Sequence, residues 1–181
     1  MQTEIRIIAF DPRNGVALLR YDGRSIYIED FFLINPNKID ADLKPDVVIV
    51  GKEVVSLESV KKTLTDILAD IRPDYIVVET PFQHQFPQAF RVLSIWVSTL
   101  AMVSYLTLKK RIHGLSPAQA RSLVGLPNNK EEGQTMIRDL QTFIDLPVIW
   151  EKDKSLLVSH TMDAIVVALA MLVIIEKNIA V

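Results

Sequence analysis

Apolar residues follow two different patterns along the chain, and short apolar runs bounded by turn residues predict strands in the first part of the chain. The segment Ile5 to Asp11 is apolar and β-branched, and the turn-forming sequence Asp-Pro-Arg-Asn-Gly occupies 11–15. Two more strands are predicted at Val16–Tyr21 and Ser25–Leu33, joined by Asp22-Gly23, a strong hairpin signal. The pattern therefore predicts a three-stranded antiparallel meander.

The longer, helical spacing appears next, in Leu57–Ile71, where Pro73 closes the helix. The continuous apolar run Tyr75–Glu79 is typical of a buried parallel strand, and a long helix is predicted at Gln88–Leu108. Further elements are predicted as helices at Pro117–Val124, Lys130–Ile144 and Ser155–Lys177, and as short strands at Val47–Val50 and Pro147–Trp150. This order predicts an α/β fold whose mixed central sheet has about five strands, a meander plus parallel strands, flanked by helices.

Length and composition predict one globular domain spanning residues 1–181, because 49% of the residues are apolar and 23% are charged. The chain has no cysteine, so disulfides and thiolate metal sites are excluded, and a metal would need oxygen or histidine ligands. The sequence starts without signal-peptide features, which predicts an intracellular protein. The apolar run Ala164 to Ile175 is about half the length of a membrane span, so a buried helix and no membrane association are expected.

The net charge is −2 and the pI is near 5.9, which gives no overall attraction for nucleic acid. If the protein binds DNA, local basic patches and metal ions must therefore provide the attraction.

Acidic residues end two of the predicted strands. Asp11 and Glu79 each follow an apolar strand, where an ionised carboxylate is costly without a partner. His160 and Asp163 lie one helical turn apart on the last predicted helix and face the same way. Each residue alone is explained as a turn former, a solvated acid or a helix cap. Together they offer the converging oxygen ligands that a hard divalent cation needs, and they predict a metal site.

Four segments in order give the chain a family resemblance: residues 7–12, 74–82, 117–130 and 160–170. With these segments the sequence resembles the RuvC-type Holliday-junction resolvases of the RNase H-like, retroviral-integrase superfamily. It departs from their pattern at Arg13, where the family usually has glycine, and in a shortened first hairpin. Residues 35–55 are also unfamiliar. These departures suggest a divergent, viral or phage branch.

The resemblance implies that Asp11, Glu79, His160 and Asp163 are catalytic ligands of two Mg²⁺ ions, for which Mn²⁺ would substitute. Asp11 would bridge both ions, and His160 would bind the second ion or activate the attacking water. The implied activity is the resolution of four-way or other branched DNA by paired nicks that leave 5′-phosphate and 3′-hydroxyl ends.

The resemblance also implies DNA contacts by Phe82, Arg121 and Lys130, and Arg13 is a further candidate. Phe82 would stack on bases, although an aromatic residue beside a proline loop also fits a core or a dimer interface. Residues 109–113, with two lysines, an arginine and a histidine, are a second candidate patch, but cations commonly end helices.

The helix after Glu79 is the one that the resemblance implies for a homodimer, whose two-fold symmetry would match a four-way junction. The candidate interface residues are Trp96, Leu100, Val103 and Leu106, although core packing could use all of them.

The sequence also allows three alternative functions, of which the first is another nuclease of the same fold. An RNase H-type nuclease would be a monomer that cuts RNA–DNA hybrids, and a non-catalytic junction-binding protein of the same fold would not need its acids. A phosphate-handling ATPase of the actin and sugar-kinase type is disfavoured, because the chain has no second glycine-rich phosphate hairpin.

Overall fold

A mixed sheet organises the fold in the computed structural model, which describes residues 4–12, 14–34, 47–50, 53–80, 87–127, 129–138 and 145–177. The strands are β1 (Ile5–Asp11), β2 (Gly15–Tyr21), β3 (Ile26–Leu33), β4 (Val47–Val50), β5 (Glu53–Ser56), β6 (Tyr75–Glu79), β7 (Ile112–Leu115) and β8 (Val148–Trp150). The helices are α1 (Leu57–Ile71), α2 (Pro87–Leu108), α3 (Pro117–Leu123), α4 (Lys130–Ile137) and α5 (Ser159–Lys177).

Six of the strands described here form the central sheet in the order β7-β6-β1-β2-β3-β8. The predicted meander is confirmed, since β1, β2 and β3 pair antiparallel, while β6 pairs parallel with β1 and β8 parallel with β3. The sixth strand, β7, was not predicted, because its sequence Ile-His-Gly-Leu is short and only its last residue is buried. The predicted strand Val47–Val50 exists, but it forms a separate hairpin with β5.

The hairpin between β2 and β3 has the predicted chemistry. Gly23 has a φ of 87°, and the Asp22 carboxylate accepts the backbone N–H groups of Ser25 at 2.8 Å and Arg24 at 2.9 Å. These two hydrogen bonds lower the pKa of Asp22, because they stabilise its ionised form.

Each face of the sheet carries its own apolar cluster. Helices α1 and α2 cover one face, with Phe10 and Trp96 in contact at 5.5 Å between ring centroids. Helix α5 covers the other face, where α3 and α4 join it. Because α5 is buried on nearly all sides, its residues are apolar without a polar stripe.

Helix α5 is long and apolar enough to cross a membrane, but 72% of its most apolar window is buried inside the fold. Core helices have the same property, and the predicted buried helix is confirmed. Its start was predicted too early. Lys154–Leu156 form a 3-10 helix capped by Asp153, and α5 begins only at Ser159.

Two other helix ends also differ from the prediction. Helix α3 ends at Leu123, before Gly125 takes a φ of 74° and closes the helix in the left-handed conformation. Helix α4 ends at Ile137, and residues 139–144 of the predicted helix lie outside the described residues.

The exposed and buried residues of α2 bear on the predicted dimer contact. Trp96, Leu100 and Val103 are 4% exposed or less and pack in the sheet core, which favours the core role that the sequence also allowed for them. Leu106, in contrast, is exposed, together with Met102 and Tyr105.

In the basic patch at 109–113, Lys110 contacts the backbone that precedes β6. Lys110 Nζ donates to the carbonyl oxygens of Pro73, at 2.6 Å, and Asp74, at 3.1 Å. The patch precedes or begins β7, which pairs parallel with β6, so it lies at the opposite end of these strands from Glu79.

Two leucines on α2 test this division of the helix. Leu100 is fully buried and Leu106 is 57% exposed. We expect Leu100→Ala to lower the free energy of unfolding by about 3 kcal/mol, because the substitution leaves a cavity. Leu106→Ala should change the free energy by less than about 0.5 kcal/mol. Urea unfolding of both variants measures the difference, and equal effects would contradict the packing.

Candidate metal centre

Two neighbouring strands bring Asp11 and Glu79 to one edge of the sheet. β1 and β6 are parallel with Phe10 opposite Val78, and the same register continued by one residue places Asp11 beside Glu79. Side chains alternate between the two faces of a strand, and Ala9 and Val77 belong to the cluster on the α5 side. Both carboxylates therefore belong to the face that α5 covers.

The turn after Asp11 sets the position of α5. The N–H of Asn14 donates to the carbonyl oxygen of Asp11 at 2.9 Å, and Asn14 takes a φ of 96°. Gly15 then pairs with Asp11 across the hairpin. A Cβ atom on Gly15 would lie 2.0 Å from the carbonyl oxygen of His160, so only glycine lets the first turn of α5 approach this closely. The close approach places His160 above the end of β1.

Asp11, His160 and Asp163 converge there. Nδ1 of His160 lies 2.7 Å from Oδ2 of Asp11, and one potential ligand atom from each of the three residues lies within 4.8 Å of the others. Asp11 and Asp163 are only 3% and 5% exposed. Two buried carboxylates and an imidazole fit a divalent cation such as Mg²⁺ or Mn²⁺, because the carboxylates provide hard oxygen ligands and need a positive partner.

Glu79 does not belong to this three-residue group in the part of the chain that the structure describes. It is half-buried at the end of β6 and pairs with Leu115 of β7. Thr80 continues that pairing by donating its N–H to the Leu115 carbonyl oxygen at 2.8 Å. Glu79 therefore shares the edge and the face of the group, and its predicted role as a metal ligand stays a prediction.

Two side chains from α3 and α4 contact Asp163. The guanidinium of Arg121 lies 3.6 Å from Oδ1 of Asp163, and Arg121 is 14% exposed. Nε2 of Gln134 lies 3.5 Å from the same oxygen and donates to Oγ of Ser159 at 2.7 Å. Sequence reasoning missed Gln134, since a single glutamine on a short polar helix gives no signal of its own.

A surface cavity of about 290 Å³ opens beside this contact and is lined by Gln134, Thr135, Arg138 and Met162. Lys154 lies at its margin, where Nζ donates to the carbonyl oxygen of Arg138 at 3.1 Å. Basic groups therefore occur next to the start of α5 although the whole chain is acidic.

The other predicted site residues are less defined. Arg13 and Phe82 lie outside the described residues, and so does the side chain of Lys130, whose backbone begins α4. Their roles in DNA binding stay predictions, as does that of Arg121.

The fold is similar to those of solved Holliday-junction resolvases. RuvC of Thermus thermophilus in complex with a Holliday junction substrate aligns with a TM-score of 0.65 at 13% identity, over 96% of each chain. Another Thermus thermophilus RuvC structure aligns with a TM-score of 0.62 at 12% identity, over 96% of this chain and 97% of that one. The yeast mitochondrial resolvase Ydc2 aligns with a TM-score of 0.62 at 13% identity, over 93% of this chain and 78% of that one.

The predicted RNase H-like fold is thus confirmed, in the form found in RuvC-type resolvases. No protein-family model matches the sequence, and no curated protein sequence matches it.

Gly15→Ala tests the close approach that assembles the site. The added methyl group would force the first turn of α5 away from the hairpin, so we expect a loss of about 1–3 kcal/mol in unfolding free energy and weaker Mn²⁺ binding. Gly125→Ala is the control, because its Cβ would meet no atom within 4 Å and only the φ of 74° is unfavourable. It should cost about 1 kcal/mol and leave Mn²⁺ binding unchanged. Urea unfolding and Mn²⁺ titration followed by electron paramagnetic resonance measure both effects. Wild-type behaviour of Gly15→Ala would contradict the assignment.

Proposed function

We propose that this protein is a divalent-metal-dependent endonuclease that cuts four-way or other branched DNA by paired nicks. The observation that supports this most is the convergence of Asp11, His160 and Asp163 at the end of β1, in a fold shared with RuvC-type resolvases. One of those resolvases is described in complex with a Holliday junction substrate.

The proposed ligands are Asp11, Glu79, His160 and Asp163, around two Mg²⁺ ions or, in their place, Mn²⁺. When bound, such ions activate water and stabilise the oxygen that leaves the phosphate. The buried carboxylates of Asp11 and Asp163 would attract the cations, and Glu79, which lies at the same end of the neighbouring strand, would extend the ligand set.

His160 is suited to move a proton or to bind a cation. Its Nδ1 lies 2.7 Å from Oδ2 of Asp11. In the tautomer with the proton on Nδ1, the Nδ1–H group donates a hydrogen bond to this carboxylate. The lone pair of the imidazole is then on Nε2, which can ligate a cation or take a proton from the attacking water. The water oxygen bonds to phosphorus as it loses a proton, and the bond to the 3′-oxygen breaks. The 3′-oxygen takes up a proton from solvent, so the products carry 5′-phosphate and 3′-hydroxyl ends.

DNA binding is proposed for the side of the sheet where α3, α4 and the start of α5 meet. Arg121 lies there beside Asp163, and Arg138 and Lys154 flank the adjacent cavity. Arg13, Phe82 and Lys130 are further proposed contacts from the resemblance. The patch at 109–113 lies at the end of β7 opposite to Glu79, so it is less suited to contact the DNA near the cleaved bond.

Cleavage assays test the proposed function. Purified protein is incubated with a labelled four-way junction, a linear duplex of matched sequence and an RNA–DNA hybrid, with Mg²⁺, Mn²⁺ or EDTA. We expect paired nicks in the junction alone and none with EDTA. Asp11→Asn, Glu79→Gln and Asp163→Asn should each lower the cleavage rate by at least about 100-fold, since each removes a proposed ligand.

Asp74→Asn is the matched control, because Asp74 precedes the same strand that Glu79 ends and lies at its opposite end. Its cleavage rate should stay close to that of the wild type. Cleavage of the hybrid alone would favour an RNase H-type nuclease. Junction binding without cleavage of any substrate would favour a non-catalytic role, and either result would contradict the proposal.

A homodimer through the exposed face of α2 is part of the proposal. This face presents Met102, Tyr105 and Leu106, which are 48%, 58% and 57% exposed. Leu106→Glu would place a charge in an apolar contact, so we expect a wild-type dimer and a monomeric variant in sedimentation velocity. Leu156→Glu is the control, because Leu156 is also 57% exposed but lies outside α2. Its oligomeric state should not change. A monomeric wild type would rule out this arrangement.

A further inference from the structure

The described contacts of Asp163 include two side chains of different kinds. Arg121, a cation from α3, lies 3.6 Å from Oδ1, and Gln134, a neutral amide from α4, lies 3.5 Å from the same oxygen. Gln134 has a stronger anchor elsewhere, because its Nε2 donates to Ser159 Oγ at 2.7 Å. The amide therefore fixes α4 to the first turn of α5, whatever happens at the carboxylate.

Arg121 gives Asp163 a positive charge that a divalent cation would also give. The carboxylate is 5% exposed, so it needs a counter-charge when no metal is bound. A guanidinium at 3.6 Å from Oδ1 also repels an incoming cation and competes for that oxygen. Arg121 and a divalent cation thus compete for Asp163, whereas the neutral Gln134 competes with neither of them.

We infer that Arg121 is an exchangeable counter-ion, which pairs with Asp163 in the metal-free protein and leaves that oxygen when a divalent cation binds. The displaced guanidinium can then contact a DNA phosphate. The inference rests on the proposed metal site. In this arrangement Arg121 couples the binding of the metal to the binding of a DNA phosphate. By linkage, metal binding raises the affinity for the phosphate that Arg121 contacts, and that phosphate raises the affinity for the metal by the same factor.

Mn²⁺ binding without DNA tests the exchange. Wild type, Arg121→Gln, Gln134→Met and Arg138→Gln are titrated with Mn²⁺ alone, and binding is followed by thermal unfolding and by electron paramagnetic resonance. We expect metal-free Arg121→Gln to unfold at a lower temperature than wild type and to bind Mn²⁺ roughly tenfold more tightly, because the competing charge is gone.

The other two variants separate competition from general effects. Gln134→Met removes a neutral contact and should weaken Mn²⁺ binding, since it loosens the first turn of α5. Arg138→Gln makes the same change of residue at an exposed arginine of the adjacent cavity. The Mn²⁺ affinity of this variant should stay within about twofold of wild type, because solvent and salt screen an exposed charge.

Mn²⁺ affinity of Arg121→Gln equal to or weaker than that of wild type would overturn the exchange and leave the metal site intact. Absence of Mn²⁺ binding to the wild type would instead overturn the proposed function. A measurement on the unaltered protein covers the case in which Arg121→Gln does not fold. The Nε–H signal of Arg121 should shift in NMR spectra when Mg²⁺ is added, and should not shift in Asp163→Asn. An unchanged wild-type signal under saturating Mg²⁺ would also overturn the exchange.

Discussion

The close approach of the first turn of α5 to Gly15 is the constraint on which the candidate site depends. Strand β1 can place Asp11 at the edge of the sheet, but the other two groups of the cluster come from a helix far along the chain. The contact is between backbones, because the carbonyl oxygen of His160 lies where a Cβ of residue 15 would be. The hairpin glycine therefore determines how near His160 and Asp163 lie to Asp11, and the apolar burial of α5 holds them there.

Charge balance around two buried acids explains the rest of the arrangement. Asp11 has the imidazole of His160 at 2.7 Å, and Asp163 has Arg121 and Gln134 near one oxygen. His160 belongs to α5 itself, and Arg121 and Gln134 come from helices that pack on α5. A sheet edge with carboxylates facing a helix start is therefore stable only with such neighbours or with cations. The proposed nuclease chemistry and the exchange at Arg121 both follow from that requirement.

Much of the fold could be predicted because periodic apolar segments carry a strong signal. The meander, the strand ending at Glu79 and the buried final helix all follow from spacing and turn residues. Short β7 could not be predicted, since four residues with one buried side chain have no clear period. Strand ends suggested where Asp11 and Glu79 lie, whereas the contact of Gln134 with Asp163 depends on how α4 packs, which no local pattern encodes. Trp96, Leu100 and Val103 were ambiguous because apolar residues serve a core and an interface equally well.

The contact at Gly15 also makes the chain unequally tolerant of sequence drift. Apolar residues inside α5 can exchange for others of similar volume, because neighbouring side chains adjust at modest cost. A backbone carbonyl facing a backbone Cα has no side chain that can move aside, so almost any replacement at position 15 displaces the helix. Random substitutions can therefore alter most of the core gradually, while one change at the buried glycine of the β1–β2 hairpin separates the groups of the site at once.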